Sequence, residues 1–401
     1  MSEIELFKAA LGFRDPWFIN SIGFDEKQKK LNISIDFKNG SKFPCPECKC
    51  LCGAYDTVQK TWRHLDFFQY ETYLHARIPR VKCNDHGIRL VDVAWARPQS
   101  GFTLFFEAII MKLVKEMPVR TVARIIKETD KRIWRVLDHY VHRAVEQQNL
   151  SMVKNIGIDE TAARRGHHYI TIFVDMDTRK TIFVTEGKDS STVQRFKDFL
   201  VHHEGAVESI KNITCDMSPA FISGVEEHFP QAHVTFDKFH VIKMLNTAVD
   251  DVRKEERKHE PCLTSSRYIW LKNPGNLTLD QAETLESLSR LKLKTARAYR
   301  MKLTFQEIYT LGKMKAEAAM KAWYGWAVRS RLQPILDFAR MLKRHWSGVF
   351  EWFTSNLTNA ILEGLNSLVQ ATKAKARGYR TLSNFKTMVY LVTGKLIYLP
   401  T

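Results

Sequence analysis

The chain has 401 residues, of which 44% are hydrophobic, so it can bury the cores of two or three globular domains. Lys and Arg number 61 against 44 Asp and Glu, and the formal net charge of +17 favours a polyanionic partner. No apolar stretch approaches the roughly 18 to 20 residues of a membrane-spanning helix. The first residues also lack the basic and apolar regions of a secretory signal, so we expect a cytoplasmic protein.

The first part of the chain has the pattern of β-strands. Apolar and polar residues alternate from Leu31 to Phe37, which is typical of a strand with one buried face, and Asn39-Gly40 then marks a turn. A second alternation from Thr72 to Ile78 leads into Cys83. We therefore predict a small β-rich domain over residues 1–95.

Metal-ligand spacing occurs twice in this domain. Cys45-Pro46-Glu47-Cys48 places two thiols two residues apart, and Cys83-Asn84-Asp85-His86 repeats the spacing with a thiol and an imidazole. Four such ligands suit a structural Zn²⁺ ion, because a tetrahedral set of protein ligands leaves no open position for a substrate. Cys50 or Cys52 can replace one ligand. The alternative is a set of buried free cysteines. The chain has seven cysteines, an odd number with five of them before residue 84, which argues against a disulfide framework.

Three helices with tight joints are predicted over residues 96–150. Apolar residues fall at helical spacing from Phe102 to Leu113, a short helix follows Pro118, and a third runs from about Lys131 to Val145. The last two predict a helix-turn-helix domain that binds DNA, with an ordinary three-helix packing unit as the alternative. The candidate DNA-contacting residues on the exposed face of the last helix are Lys131, Arg132, Arg135 and His139.

Residues 151–401 have the pattern of a mixed α/β domain. The first three β-rich segments, between Asn155 and Thr185, can pair as hairpins, because Asp175 to Lys180 is a polar turn. The later segments at Ile213 to Asp216 and His233 to Phe236 need helical crossovers. Only helical periodicity follows from about residue 243 to residue 353, which predicts a helical insertion.

Acidic residues follow the apolar runs of this domain. Asp159 and Asp216 are predicted at strand ends of one sheet, and Glu363 in a helix. Carboxylates that converge from separate elements suit Mg²⁺, although an acid at a strand end is often a cap or a solvated group. Asp237 also follows an apolar run and is the fourth candidate for a metal-binding acid. It can bind a metal ion, or it can simply pair with Lys238 or His240. Asp175 and Asp177 belong to a hairpin turn.

These motifs together resemble the bacterial insertion-sequence transposases of the L-three group, which have an RNase-H-like catalytic domain of the DDE type. The motifs that carry the resemblance are Cys45-Pro46-Glu47-Cys48, Ala94-Trp95-Ala96-Arg97, Gly157-Ile158-Asp159-Glu160, Asp216-Met217-Ser218-Pro219-Ala220, Phe236-Asp237-Lys238-Phe239-His240-Val241 and Asn359-Ala360-Ile361-Leu362-Glu363-Gly364-Leu365-Asn366. The resemblance implies that Asp159, Asp216 and Glu363 are catalytic acids that hold Mg²⁺ or Mn²⁺. It also implies a multidomain α/β fold, in which a zinc-binding domain and a helix-turn-helix precede an RNase-H-like mixed sheet with a helical insertion.

The resemblance also includes a basic segment near the end of the chain, and it implies which partners the protein binds. Lys373, Lys375, Arg377 and Arg380 look like the family's basic segment, which would neutralise phosphates; a solvated helix face is the alternative. The implied partners are double-stranded transposon ends and target DNA. Two ends must be held together, so we expect a homodimer or a higher oligomer, associated with the nucleoid when bound. The rival functions are a non-catalytic DNA-binding repressor and a nuclease of the same fold.

Overall fold

A computed structural model describes residues 3–164, 166, 168–355, 357 and 359–398. The chain divides into two compact units, Met1–His142 with Ile397–Thr401, and Arg143–Leu396. The predicted zinc-binding domain and nearly all of the predicted helix-turn-helix domain lie in the first unit, and the predicted catalytic domain forms most of the second. Across the described residues, no helix has the length and apolar content needed to cross a membrane.

The first unit opens with helix α1 (Glu3–Leu11) and contains a six-stranded sheet with the order β1-β2-β5-β4-β3 and β6 paired to β5. The strands are β1 (Trp17–Asp25), β2 (Lys30–Phe37), β3 (Lys42–Pro44), β4 (Leu51–Arg63), β5 (Glu71–Cys83) and β6 (Gly87–Leu90). β2 buries every second residue, so Leu31 and Ile33 enter a core with Trp62 and Trp95. This confirms both predicted strands of the domain.

Three helices complete the first unit, as predicted. They are α2 (Leu104–Glu116), α3 (Val119–Ile125) and α4 (Asp130–Glu146), which crosses the boundary between the two units. Thr103 caps α2 by accepting a hydrogen bond from the backbone N–H of Phe106. The fully buried Glu107 of α2 accepts hydrogen bonds from Arg97 at 2.9 Å and from the Tyr140 hydroxyl at 2.7 Å, which ties α2 to α4.

A mixed five-stranded sheet forms the centre of the second unit, with the order β11-β10-β7-β8-β9. Its strands are β7 (Asn155–Arg164), β8 (His168–Asp175), β9 (Lys180–Glu186), β10 (Asn212–Cys215) and β11 (His233–Phe236). β7, β8 and β9 pair antiparallel as the predicted hairpins. Helices α5 (Ser191–His202) and α6 (Pro219–His228) are the crossovers that make β10 and β11 parallel to β7.

The described residues from Lys238 to Ser355 form helices and turns, which agrees with the predicted insertion. The helices are α7 (Lys238–Glu256), α8 (Arg267–Leu271), α9 (Leu279–Ser289), α10 (Lys294–Ile308), α11 (Lys313–Val328), α12 (Gln333–Arg344) and α13 (Trp346–Ser355). The side chains of Trp270, Phe305 and Trp323 are buried in the hydrophobic core where these helices pack. Two helices follow the insertion, α14 (Ala360–Lys375) and α15 (Leu382–Thr393).

Candidate functional site

Three acids lie at the same register level, just beyond the parallel-paired parts of three neighbouring strands. Asn155 of β7, Asn212 of β10 and His233 of β11 lie side by side. Four residues further along each strand are Asp159, Asp216 and Asp237, and the last two directly follow the ends of β10 and β11. Because parallel strands advance by the same rise per residue, the three carboxylates meet at one edge of the parallel part of the sheet.

Asp159 is not at the end of its strand, which corrects the sequence-based expectation. β7 continues to Arg164, because it pairs with β8 as a hairpin in which Asp159 lies opposite Ile172. The parallel pairing of β7 with β10 extends only as far as Gly157. The apolar run before Asp159 therefore marks the end of the parallel segment, and not the end of the strand.

The carboxylate of Asp159 is held from two sides. Its Oδ1 accepts a hydrogen bond from the backbone N–H of Glu160 at 2.8 Å, and its Oδ2 accepts one from Nδ2 of Asn366 at 2.5 Å. Burial and the nearby charge of Asp216 raise the pKa of Asp159 to about 7. The same two causes raise the pKa of the neighbouring Glu160. This edge of the sheet therefore concentrates negative charge that a divalent cation would offset.

The imidazole of His240 contacts both Asp216 and Asp237. Its Nδ1 lies 2.7 Å from Oδ1 of Asp216 and 3.1 Å from Oδ2 of Asp237, and these two acids raise the pKa of the imidazole to about 10. Within the described part of the chain, Oδ1 of Asp216 is buried and accepts no hydrogen bond of good geometry. The charge of His240 therefore lies against this oxygen, which as a hard carboxylate donor can also ligate a divalent cation.

Asp237 pairs with His240, which is one of the alternatives that the sequence left open. It is fully buried and caps α7, because its Oδ2 accepts a hydrogen bond from the backbone N–H of His240 at 3.3 Å. Its Oδ1 accepts one from the backbone N–H of Asn359 at 3.4 Å. Lys238 points elsewhere and places its ammonium over the rings of Tyr309 and Trp352. The oxygens of Asp237 are thus engaged by protein groups.

Glu363 lies in the first turn of α14, and its side chain is exposed. It shares a helix face with Asn366 and Gln370, which both bond to β7. Among the described residues, the oxygens of Asp159, Asp216 and Glu363 do not all lie within 4.8 Å of one another. Asp159 and Asp216 therefore lie near enough for the charge of one to act on the other, and Glu363 does not complete a close three-acid cluster with them among the described residues.

The zinc-ligand candidates converge in the first unit. One ligand atom each from Cys45, Cys48, Cys83 and His86 lies within 4.8 Å of the others. Cys45 follows β3, and Cys83 ends β5, so the two predicted pairs sit at the ends of two strands that both pair with β4. His86 lowers the pKa of the Cys83 thiol to about 6, which favours the thiolate that binds zinc. These donors fit a tetrahedral Zn²⁺ ion.

A fifth thiol remains close to this cluster. The Sγ atom of Cys50 lies 2.9 Å from that of Cys48 and 3.8 Å from that of Cys83. Cys50, Cys52 and Cys83 also form a set whose sulfur atoms lie within 4.8 Å of one another. The expectation that Cys50 or Cys52 can replace a ligand is therefore compatible with the structure.

The predicted DNA-contacting residues of α4 differ in their surroundings. Lys131 and Arg135 are exposed. Arg132 instead bonds to Glu128 at 2.6 Å and to the carbonyl of Gly101 at 3.2 Å, and its guanidinium lies 4.1 Å from the centre of the Phe102 ring. His139 is half-buried against Tyr140. The structure therefore assigns Arg132 to holding the start of α4 and leaves Lys131 and Arg135 accessible to phosphates.

The basic segment after Glu363 is similarly divided. Lys373 donates a hydrogen bond to the carbonyl of Ala162 at 2.6 Å, which joins α14 to β7. Lys375, Arg377 and Arg380 are exposed. Three of the four predicted residues are thus exposed, and Lys373 is half-buried against β7.

Comparison with known protein families gives matches over most of the chain. The ISL3 transposase profile matches residues 156–389, and the profile for the helix-turn-helix domain of transposase family ISL3 matches residues 91–141. A third, for the zinc-finger of transposase IS204/IS1001/IS1096/IS1165, matches residues 41–86. These three regions coincide with the five-stranded sheet and its helices, the helical trio and the cysteine cluster.

Two curated relatives align over nearly their whole length. The transposase for insertion sequence element IS1557 of Mycobacterium tuberculosis is 25% identical in an alignment that covers 95% of this chain and 93% of the relative. The transposase for insertion sequence element IS1001 of Bordetella parapertussis is 28% identical over 366 residues, which cover 88% of this chain and 89% of the relative.

Proposed function

The chain belongs to the ISL3 family of transposases, and from this premise we propose that it cuts and joins DNA with Asp159, Asp216 and Glu363 as its catalytic acids. The observation that carries the proposal is the shared register level of Asp159 and Asp216 on adjacent parallel strands. The raised pKa of Asp159 supports it, because the neighbouring charge of Asp216 contributes to that shift.

The donor set of this site fits a hard divalent cation. Asp159 and Asp216 would hold Mg²⁺ or Mn²⁺, and Glu363 would supply a third carboxylate from α14. When bound, such ions activate the attacking oxygen and stabilise the leaving oxygen of a phosphoryl transfer. His240 offsets part of the carboxylate charge from the side of Asp216.

Two transfers account for the reaction. In the first, water attacks a phosphorus atom at the element's end, and the bond to the 3′ oxygen breaks to leave a free 3′-hydroxyl. In the second, that 3′ oxygen attacks a phosphorus atom of the target, and a target 3′-hydroxyl leaves. Since no covalent bond to the protein forms, the acids act by positioning and by compensating charge.

The first unit would recognise the terminal inverted repeats of the element. The helix-turn-helix domain indicates DNA binding, and α4 would enter the major groove with Lys131 and Arg135 on its exposed side. The zinc ion would stabilise the end of the sheet that carries Cys45 and Cys83. A dimer or a higher oligomer would hold the two element ends together, and the protein would act in the cytoplasm at the nucleoid.

A joining assay tests the proposed function. A labelled duplex that ends in the element's terminal repeat, with its 3′-hydroxyl free, is incubated with the protein, Mg²⁺ and a plasmid target. We expect label covalently attached to the plasmid. Binding of the duplex without any cleavage or joining would overturn the proposal in favour of a repressor. Cleavage that never yields a joined product would overturn it in favour of a nuclease.

A further inference from the structure

The side chain of Asn366 connects the helix of Glu363 with the strand of Asp159. Its Nδ2 lies 2.5 Å from Oδ2 of Asp159, whose other oxygen accepts the backbone N–H of Glu160. Both oxygens of this acid therefore have a donor that fixes their direction. A donor to a metal-binding carboxylate commonly sets its orientation and its affinity for the metal.

Two further side chains of α14 extend this contact along β7. Nε2 of Gln370 donates to Oγ1 of Thr161 at 2.6 Å and to the carbonyl of Ala162 at 3.2 Å. Nζ of Lys373 donates to the same carbonyl at 2.6 Å. Their spacing places Asn366, Gln370 and Lys373 on one face of the helix. Glu363 lies one turn before Asn366 on that face, towards the start of α14.

The start of the helix is fixed by other contacts. Oγ1 of Thr214 donates to Oδ1 of Asn359 at 2.7 Å, and the backbone N–H of Asn359 donates to Asp237. Leu362 packs so closely on β7 that a Cβ atom at Gly157 would lie 2.8 Å from its Cδ1. The turn that carries Glu363 is therefore held between Asn359 on one side and Asn366 on the other.

We propose that Asn366 is a positioning residue, which sets the carboxylate of Asp159 and the turn of Glu363 in the relative placement that metal binding requires. The inference rests on the proposed function, because it takes these acids as the metal ligands. It assigns to Asn366 a role that Gln370 does not share. Gln370 docks the same helix face on the same strand, but it contacts Thr161 and Ala162, which are not acids.

The test compares Asn366→Ala with the matched control Gln370→Ala in the full chain. The first quantity measured is the rise in melting temperature on adding Mg²⁺ without DNA, and the second is the Mg²⁺ concentration that half-saturates joining. For Asn366→Ala we expect about a tenfold or larger rise in that concentration and a smaller Mg²⁺-induced rise in melting temperature. For Gln370→Ala we expect both quantities to stay near wild type. Asn366→Gln, which keeps an amide donor, should recover part of the loss.

Two results would overturn the inference, and they are distinguishable from each other. If wild type joins DNA and Asn366→Ala responds to Mg²⁺ as Gln370→Ala does, the contact only docks the helix and the positioning role is wrong. If wild type shows neither joining nor stabilisation by Mg²⁺, the proposed function fails and the inference fails with it. Melting temperatures without Mg²⁺ show whether both variants are folded.

Discussion

Nδ1 of His240 lies 2.7 Å from Oδ1 of Asp216, the acid that follows β10. The same nitrogen lies 3.1 Å from Oδ2 of Asp237. With its pKa raised to about 10 by these two carboxylates, the imidazole is a cation at neutral pH. The protein thus supplies one positive charge to a group of acids that would otherwise repel one another.

Replacing His240 by Ala should lower the free energy of unfolding in a way that depends on pH. Its pKa is raised from the ordinary value of 6.5, so the folded state holds the proton more tightly than the unfolded chain. The stabilisation is fully present below about pH 6.5 and is lost as pH rises through about 10. We expect a loss of about 1 to 3 kcal/mol near pH 6, after allowance for solvent screening.

Urea unfolding of wild type and His240→Ala at several pH values between 6 and 10 measures this difference. The exposed His202 on α5 offers the control, because His202→Ala should change stability little at any pH. A loss in His240→Ala that is the same at pH 6 and pH 10 would show that the imidazole acts by packing and not by its charge.

Binding of Mg²⁺ should strengthen as pH rises from 6 to 8. The pKa of Asp159 is raised from 3.8 to about 7, so in the metal-free protein this acid lowers stability as pH climbs from about 4 to about 7. A metal ion needs the deprotonated carboxylate, and it competes with the proton below pH 7. The rise in melting temperature produced by Mg²⁺ should therefore be larger at pH 8 than at pH 6.

In Asp159→Asn, both the effect of Mg²⁺ and its dependence on pH should be lost. Equal stabilisation by Mg²⁺ at pH 6 and pH 8 in wild type would contradict the assignment of Asp159 as a ligand.

Loss of a zinc ligand should unfold the end of the first sheet. Cys83→Ser removes a buried ligand at the end of β5, and we expect the protein to lose one equivalent of zinc and to melt at a lower temperature. Structural zinc sites contribute about 10 kcal/mol or more of apparent binding free energy. The control is Cys262→Ser, which changes an exposed cysteine of the helical insertion.

Zinc content measured by atomic spectroscopy checks this prediction and also resolves the role of the fifth thiol. We expect Cys50→Ser to retain its zinc, because Cys45, Cys48, Cys83 and His86 complete the tetrahedron without it. Full zinc content in Cys83→Ser would contradict the proposed ligand set.

Arg135 and Arg132, three residues apart on α4, should respond differently to replacement by Ala. Arg135→Ala should weaken DNA binding and reduce the slope of log affinity against log salt by about one, because an exposed cation that contacts a phosphate is removed. Arg132→Ala should instead lower stability by about 1 to 3 kcal/mol, because it deletes the bonds to Glu128 and Gly101.

Filter binding at several salt concentrations and thermal unfolding separate the two effects. An unchanged salt slope in Arg135→Ala would show that this side chain does not contact the DNA backbone.

The sequence predicts most of the fold, because burial follows the periodicity of the residues. The buried face of β2 and the apolar strands before Asp159 and Asp216 are visible as alternation or as apolar runs. The sequence does not predict β4: exposed and half-buried residues alternate along it, but two of its half-buried positions are Asp56 and Lys60, so the hydrophobicity does not alternate. The apolar run does not mark the end of β7, because the pairing with β8 extends the strand beyond that run.

The residues that support the acids could not be found in this way. Asn366 bonds to Asp159 across 207 positions of sequence, and Asn359 bonds to Thr214 across 145. Such contacts depend on how α14 docks on the sheet, and periodicity within one segment carries no signal of that docking. The inward turn of Arg132 is likewise set by its tertiary partners Gly101 and Phe102.

The most direct test of the central claim is strand joining by Asp159→Asn and Asp216→Asn, each of which removes one charge without changing the size of the side chain. The control is Asp177→Asn, an exposed acid of the hairpin turn. We predict that both site variants bind the element's end as wild type does but join it to a target at least about a hundredfold more slowly, a rise of about 2.7 kcal/mol in the barrier. Asp177→Asn should join at the wild-type rate. Joining by Asp216→Asn at the wild-type rate would contradict the account.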